Sequence, residues 1–198
     1  MAVMMIMEAP GGTTEEYDRT NEIMGLHGDE DAPDGLVHHV AASDGNGLVI
    51  VDVWESEEAF GRFYEQRLGP ALEQSGVASS AGEPRPPLPV HNALAGKGAE
   101  ANVLILIDVD GLGTDEYDQM ASRMESHQGD GSNGPWVTHT AAKRDGGMVV
   151  ADVWDSAEAF GKFGEEQIGP AGAAVGLGPI EPRIVPVYNR IRGRARVS

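Results

Sequence analysis

Hydrophobic residues along the chain fall into short runs separated by amphipathic stretches, and the sequence of runs occurs twice. Residues 4–8 and 103–109 are near-continuous apolar runs too short for helices, the pattern of strands buried on both faces. Thr13 and Thr14, and later Thr114, precede acidic residues that complement a helix N-terminus, so a helix is predicted after each run. In the second helix of this kind Tyr117, Met120, Ala121 and Met124 recur at i, i+3, i+4 and i+7. In the first, only Tyr17 and Met24 are large apolar members, and the inward face is unusually polar. Residues 36–42 and 48–54 flank Asp44-Gly45-Asn46-Gly47, while 136–142 and 148–154 flank Asp145-Gly146, so two hairpins are expected. Ser56 and Ser156 then cap a further helix, whose apolar face in the first copy is Phe60, Phe63, Tyr64 and Leu68. Gly69-Pro70 and Gly169-Pro170 are expected to end it. Strand-like segments 89–94 and 184–191 follow, and the prolines near them predict edge positions.

The recurrence is a duplication. Residues 51–72 and 151–172 agree at 13 of 22 positions, and the same offset of 100 aligns Tyr17 with Tyr117, His27 with His127 and His39 with His139. Towards the repeat ends the offset drifts, and Val90-His91-Asn92 matches Val187-Tyr188-Asn189. A period this long is a whole small domain. The predicted class is α+β, as two tandem ferredoxin-like (βαββαβ) repeats at 1–94 and 101–192, joined by a linker at 95–100 and followed by a basic tail at 193–198. Each repeat would leave one sheet face uncovered, and pairing the two faces gives an intrachain dimeric α+β barrel.

Composition narrows the function. The 198 residues include 32 acidic and 14 basic side chains, a formal net charge of -18, which disfavours phosphate backbones and anionic lipid, so nucleic acid and membrane are not expected partners. The only basic run is at residues 190–196. The N-terminal apolar run is too short for a signal segment or a bilayer span, and a cytoplasmic protein is expected. Without cysteine, thiol nucleophiles, Fe–S clusters and Cys-zinc sites are excluded. Gly111-Leu112-Gly113 and Gly176-Leu177-Gly178 lack the context of a nucleotide-binding loop and read as turns.

The run Asp-Val-Trp-x-Ser-x-Glu-Ala-Phe-x-x-Phe at 52–63 and 152–163, set inside a ferredoxin-like repeat, resembles the dimeric α+β barrel superfamily, which includes the antibiotic-biosynthesis monooxygenase-like proteins. The resemblance spans almost the whole chain. It implies small-molecule chemistry among cofactor-independent oxygenases, lactone isomerases, polyketide cyclases and haem-degrading enzymes, and fold alone does not choose between them. It also implies that Trp54 and Trp154 match a tryptophan lining the substrate pocket. The asparagine that accompanies that tryptophan in the oxygenases is not identified in the sequence.

Pairing the hairpin about Asp145-Gly146 sets His139 opposite Asp152, and the offset sets His39 opposite Asp52, with Trp154 and Trp54 two residues further along the same face. An aspartate on one ring nitrogen fixes the tautomer and leaves the other nitrogen as a general base or acid. The candidate catalytic residues are therefore His39, Asp52, His139 and Asp152, with Trp54, Trp154, Tyr17 and Tyr117 shaping the substrate cavity. Equally, a buried His and Asp satisfy one another as scaffold. A further alternative sets His27, His39 and Asp52, and His127, His139 and Asp152, as two-His-one-carboxylate metal sites; otherwise no metal or cofactor is expected. The acidic stretch Asp29-Glu30-Asp31 departs from a calcium loop and reads as solvated.

These features predict an enzyme acting on a small apolar oxygenated substrate, in the manner of a cofactor-independent monooxygenase, isomerase or cyclase of secondary metabolism. The alternative is a non-catalytic protein that holds a hydrophobic ligand. A homo-oligomer of the pseudo-dimeric chain is compatible with either. Differences such as Leu36 against Trp136 and Tyr64 against Gly164 predict unequal pockets, a pattern compatible with a single active half.

Overall fold

The computed structural model describes residues 1–77, 85–128 and 132–197. Its strands are β1 (Val3–Pro10), β2 (Leu36–Ser43), β3 (Gly47–Trp54), β4 (Leu88–Ala95), β5 (Val103–Asp110), β6 (Thr138–Arg144), β7 (Gly147–Trp154) and β8 (Arg183–Arg192). Its α-helices are α1 (Thr14–Met24), α2 (Glu57–Phe63), α3 (Gly69–Ser75), α4 (Thr114–Ala121), α5 (Ala157–Phe163) and α6 (Gly169–Ala173). The strands hydrogen-bond in the closed order β1-β3-β2-β8-β5-β7-β6-β4, an α+β barrel built from two βαββαβ repeats. Among the described residues no helix is long and apolar enough to cross a membrane.

The chain divides into two compact units, Met1–Pro89 with Pro186–Ser198, and Val90–Val185. These differ from the sequence repeats in the last strand of each. Within the first unit β1 and β2 flank β3, and β2 also pairs with β8 from Val187 to Arg192. Within the second, β5 and β6 flank β7, and β6 pairs with β4 from Val90 to Ala95. Leu88 and Pro89, the start of β4, pair with β1 in the first unit.

β4 and β8 are therefore not sheet edges, contrary to the expectation from their prolines. Closure removes edges. Pro89 and Pro186 instead lie where the chain passes from one compact unit to the other, and a missing N–H is tolerated at such interruptions of a ladder.

α1 begins with a capping box, Thr13 accepting from the Glu16 amide while Glu16 accepts from the Thr13 amide, and it ends on Gly25 in the left-handed region. Gly69-Pro70 and Gly169-Pro170 do not end the second helix of either repeat. A π-turn segment, Tyr64–Leu68 or Gly164–Ile168, joins α2 to α3 and α5 to α6, so Pro70 and Pro170 fall in the first turn of the continuing helix, where no N–H is needed. α4 stops at Ala121, one turn short of the stripe read from the sequence, although Met124 is still buried.

Each unit has its own core. In the first, Val3, Met5, Leu26, Leu36, Trp54 and Ile191 pack together; in the second, Ile105, Tyr117, Trp136, Met148, Trp154 and Phe160 belong to a larger cluster. Gly35 sits at φ +86°, with Ala59 Cβ 2.5 Å from where a side chain would begin, so only glycine fits that turn. The Asp29–Asp31 segment forms a 3₁₀ turn in which Asp29 accepts from the Arg192 amide and Glu30 from the Arg194 guanidinium, tying down the start of the basic tail.

Candidate active site

The hairpin register inferred from the turns is the one present: His39 stands opposite Asp52 and His139 opposite Asp152. Strand periodicity then turns each pair to a common face, where the first helix of the repeat lies. His39 Nδ1 is 2.6 Å from Asp52 Oδ1, and His139 Nδ1 is 2.7 Å from Asp152 Oδ1. A carboxylate only accepts, so the imidazole donates from Nδ1 and its Nε2 is an acceptor.

That second nitrogen is already engaged. The Tyr17 hydroxyl donates to His39 Nε2 at 2.7 Å, and the Tyr117 hydroxyl to His139 Nε2 at 2.6 Å. Each tyrosine oxygen in turn accepts from an asparagine amide: Asn189 Nδ2 at 2.8 Å in the first unit, Asn92 Nδ2 at 3.1 Å in the second. The result is a four-member relay, Asn–Tyr–His–Asp, formed twice, with each proton position assigned by its neighbours. Burial pushes the Tyr17 phenol up to about 12, against hydrogen bonds from Asn189 and Asn21 that pull it down, so the resting group is a neutral phenol. Burial raises Tyr117 as well.

The asparagines are the members that sequence reasoning missed. Asn92 and Asn189 did align as the end of the Val-x-Asn match, which was the available signal. Each, however, sits on the last strand of one repeat and completes the relay around the tyrosine and histidine of the other, which no offset of 100 reveals.

The two relays have different surroundings. In the first unit Tyr17, His39 and Asp52 line a cavity of about 120 Å³, with Trp54, Phe63 and Met24 among its apolar walls. In the second unit the corresponding space is about 50 Å³. Trp136, fully buried, fills it where Leu36 stands in the first unit, its ring centroid 5.1 Å from that of His139 and 4.7 Å from that of His127. On the helix, Met120 and Ala121 replace Thr20 and Asn21. Trp154 Nε1 donates to Asp152 Oδ2 at 3.4 Å, whereas Trp54 Nε1 is buried without a hydrogen-bond partner.

These contacts also place the residues of the metal alternative. Among the described residues no group of three or more His, Asp and Glu side chains converges as a metal would require. His27 is more than half exposed and lies 3.6 Å from Glu22, away from the relay. His127 does stand against His139, ring centroids 4.9 Å apart, yet both nitrogens of His139 are spent on Asp152 and Tyr117. Burial holds His127 down to about 3, as a neutral ring packed on Trp136.

No family model matches the sequence, and no curated protein matches it either. Solved structures do match in fold. A protein named "putative monooxygenase" from Lactobacillus acidophilus NCFM is 11% identical, covers 96% of this chain and 96% of its own, and superposes with a TM-score of 0.69. One of the same name from Fusobacterium nucleatum subsp. nucleatum ATCC 25586 is 9% identical over 96% of this chain and 94% of its own, with a TM-score of 0.68. An anthrone oxidase-like protein is 13% identical over 96% and 93%, with a TM-score of 0.55. Identities this low carry fold and not activity. The chain shares with these proteins the fold of a closed eight-stranded α+β barrel, here with two βαββαβ repeats in one chain.

Proposed function

We propose that the first unit is a general-base site for a small apolar substrate bearing an acidic C–H or O–H, and that the resulting anion reacts with dioxygen without a bound cofactor. The observation carrying this reading is the Asn189–Tyr17–His39–Asp52 relay opening on an apolar cavity. The Tyr17 oxygen takes the substrate proton as its own proton passes to His39 Nε2. Asp52 stabilises the imidazolium so formed, and the Asn189 amide steadies the phenol oxygen throughout. Trp54 and Phe63 keep water from the carbanion. For a ketone with an activated CH2 group, the carbanion and O2 give a hydroperoxide, which loses water to leave a new carbonyl; one CH2 and one O2 become one C=O and one H2O. Isomerisation or cyclisation of the same anion would use the same relay.

In the second unit the relay persists beside a pocket reduced to about 50 Å³, which favours a purely structural role there. The non-catalytic reading extends that role to the first unit.

The test is oxygen consumption with 2-indanone, a ketone with one aromatic ring whose CH2 is acidified by both ring and carbonyl and whose size suits a cavity of about 120 Å³. One O2 should be consumed per 2-indanone converted to indane-1,2-dione and water, and His39→Gln should lower the rate by roughly 10²–10⁴. His139→Gln should leave the rate near wild type. A rate unaffected by His39→Gln, with only a lower melting temperature, assigns the relay to scaffold in both halves.

A further inference from the structure

The inner face of α1 carries two buried polar residues that the base reading does not use, Thr20 and Asn21. Both line the first-unit cavity, whose walls apart from the relay, Glu8 and Glu16 are apolar. Burying polar atoms there is costly unless something pairs with them.

Their hydrogen bonds show what they have left to offer. The Thr20 hydroxyl gives its proton to the Glu16 carbonyl at 2.9 Å, and Ser75, 3.3 Å away, gives its own to the Leu72 carbonyl at 3.1 Å. With its proton committed to the helix carbonyl, the Thr20 oxygen keeps acceptor capacity, and Thr20 is among the residues lining the cavity. The Asn21 amide turns one N–H towards the Tyr17 phenol, which lowers that group's pKa against the effect of burial. An amide has a second N–H and a carbonyl with two lone pairs, and no other side-chain hydrogen bond of Asn21 is formed among the described residues. The two residues therefore hold an acceptor, a donor and a further acceptor at one end of an apolar space.

We propose that Thr20 and Asn21 form a binding site for a hydroxyl or carbonyl oxygen carried on an aromatic ring, so that the chain binds one such ligand, in its first unit only. The ring class follows from the cavity. At about 120 Å³ it approaches the roughly 150 Å³ apolar cavity known to take one benzene, and Trp54, Phe63 and Met24 supply ring-compatible walls. In the second unit all three determinants are gone: Met120 and Ala121 replace the polar pair, and Trp136 occupies the space of the ring. The inference deepens the base reading, because it names what that cavity holds, but it is read by binding and not by turnover.

Isothermal calorimetry with p-cresol and toluene tests it. The wild-type chain should bind one p-cresol, at least tenfold more tightly than toluene. Asn21→Ala, which installs the residue found at the equivalent position of the second repeat, should bring the ratio close to one with toluene affinity kept. Combined Met120→Thr, Ala121→Asn and Trp136→Leu should raise the p-cresol stoichiometry from one to two. A preference that survives Asn21→Ala overturns the proposal, as does a wild-type stoichiometry of zero or two, or a triple variant that folds and still binds one. His39→Gln separates the two readings. Loss of turnover with the cresol preference intact supports both, turnover retained sinks the base alone, and an Asn21→Ala variant that keeps the preference sinks the oxygen site alone.

Discussion

Replacing Tyr117 by phenylalanine deletes one oxygen and leaves the ring in place. Two groups lose a partner: Asn92 Nδ2, which donates to that oxygen at 3.1 Å, and His139 Nε2, which accepts from it at 2.6 Å. The His139 side chain is only 6% exposed, with Trp136 and His127 packed on its ring, and the space of about 50 Å³ beside it is walled by apolar side chains outside the relay and His127, so a water there finds few further partners. A buried polar group left unsatisfied costs about 1–3 kcal/mol, so the upper bound for the pair is about 2–6 kcal/mol, with Asn92 only half-buried. Tyr17→Phe removes the same atom from the first unit, but there the stranded groups border a cavity of about 120 Å³, ample for water. Substituted water keeps that cost near 1 kcal/mol. Tyr117→Phe should therefore melt about 2–20 °C below Tyr17→Phe, for a difference of about 1–5 kcal/mol at about 2–4 °C per kcal/mol in a chain of this size. Differential scanning calorimetry of both variants at one pH reads the difference. Turnover should respond in the opposite order, abolished by Tyr17→Phe and retained by Tyr117→Phe. Equal melting temperatures, or a less stable Tyr17→Phe, would refute the assignment of an accessible relay to the first unit and a sealed one to the second.

Burial holds His38 down to about 4 and His127 down to about 3, so both are neutral when folded and become protonated on unfolding below their ordinary value near 6.5. The unfolded state then binds more protons, and stability is lost as pH falls from about 6.5 towards 4, by up to about 1.4 kcal/mol per pH unit for each histidine. His38→Thr, the residue at position 138, should flatten the pH slope of urea-derived stability by about one proton; an unchanged slope would show that His38 does not titrate on unfolding. Gly35→Ala should destabilise the chain by about 1–3 kcal/mol through its positive φ and the 2.5 Å approach to Ala59, with a urea midpoint equal to wild type as the contrary result. Thr13→Ala removes the oxygen that accepts from the Glu16 amide and should cost about 1 kcal/mol in the same titration, unless water replaces the cap fully.

Much of the architecture is local and was legible in the sequence. Strand runs, caps and hairpin turns depend on residues within about ten positions of one another, and the duplication supplied an internal check on each. The His39–Asp52 and His139–Asp152 pairs belong to this class, because a tight turn dictates register across two adjacent strands. The Gly-Pro helix ends did not follow the local signal, since a π-turn segment lets proline begin a new helical turn instead of closing the old one.

What the tertiary structure alone decided is everything that depends on distant chain segments meeting. The last strand of each repeat crosses to the other compact unit, and this brings Asn189 to Tyr17 and Asn92 to Tyr117, across separations that no periodicity encodes. Packing also decided which relay has space beside it. Leu36 against Trp136 is a single visible difference in sequence, but whether a larger side chain fills a cavity or turns away is settled by the volume its neighbours leave. Chemistry-bearing residues were therefore readable from the chain, while their completion by asparagine and their access to a ligand were set by long-range strand pairing and close packing.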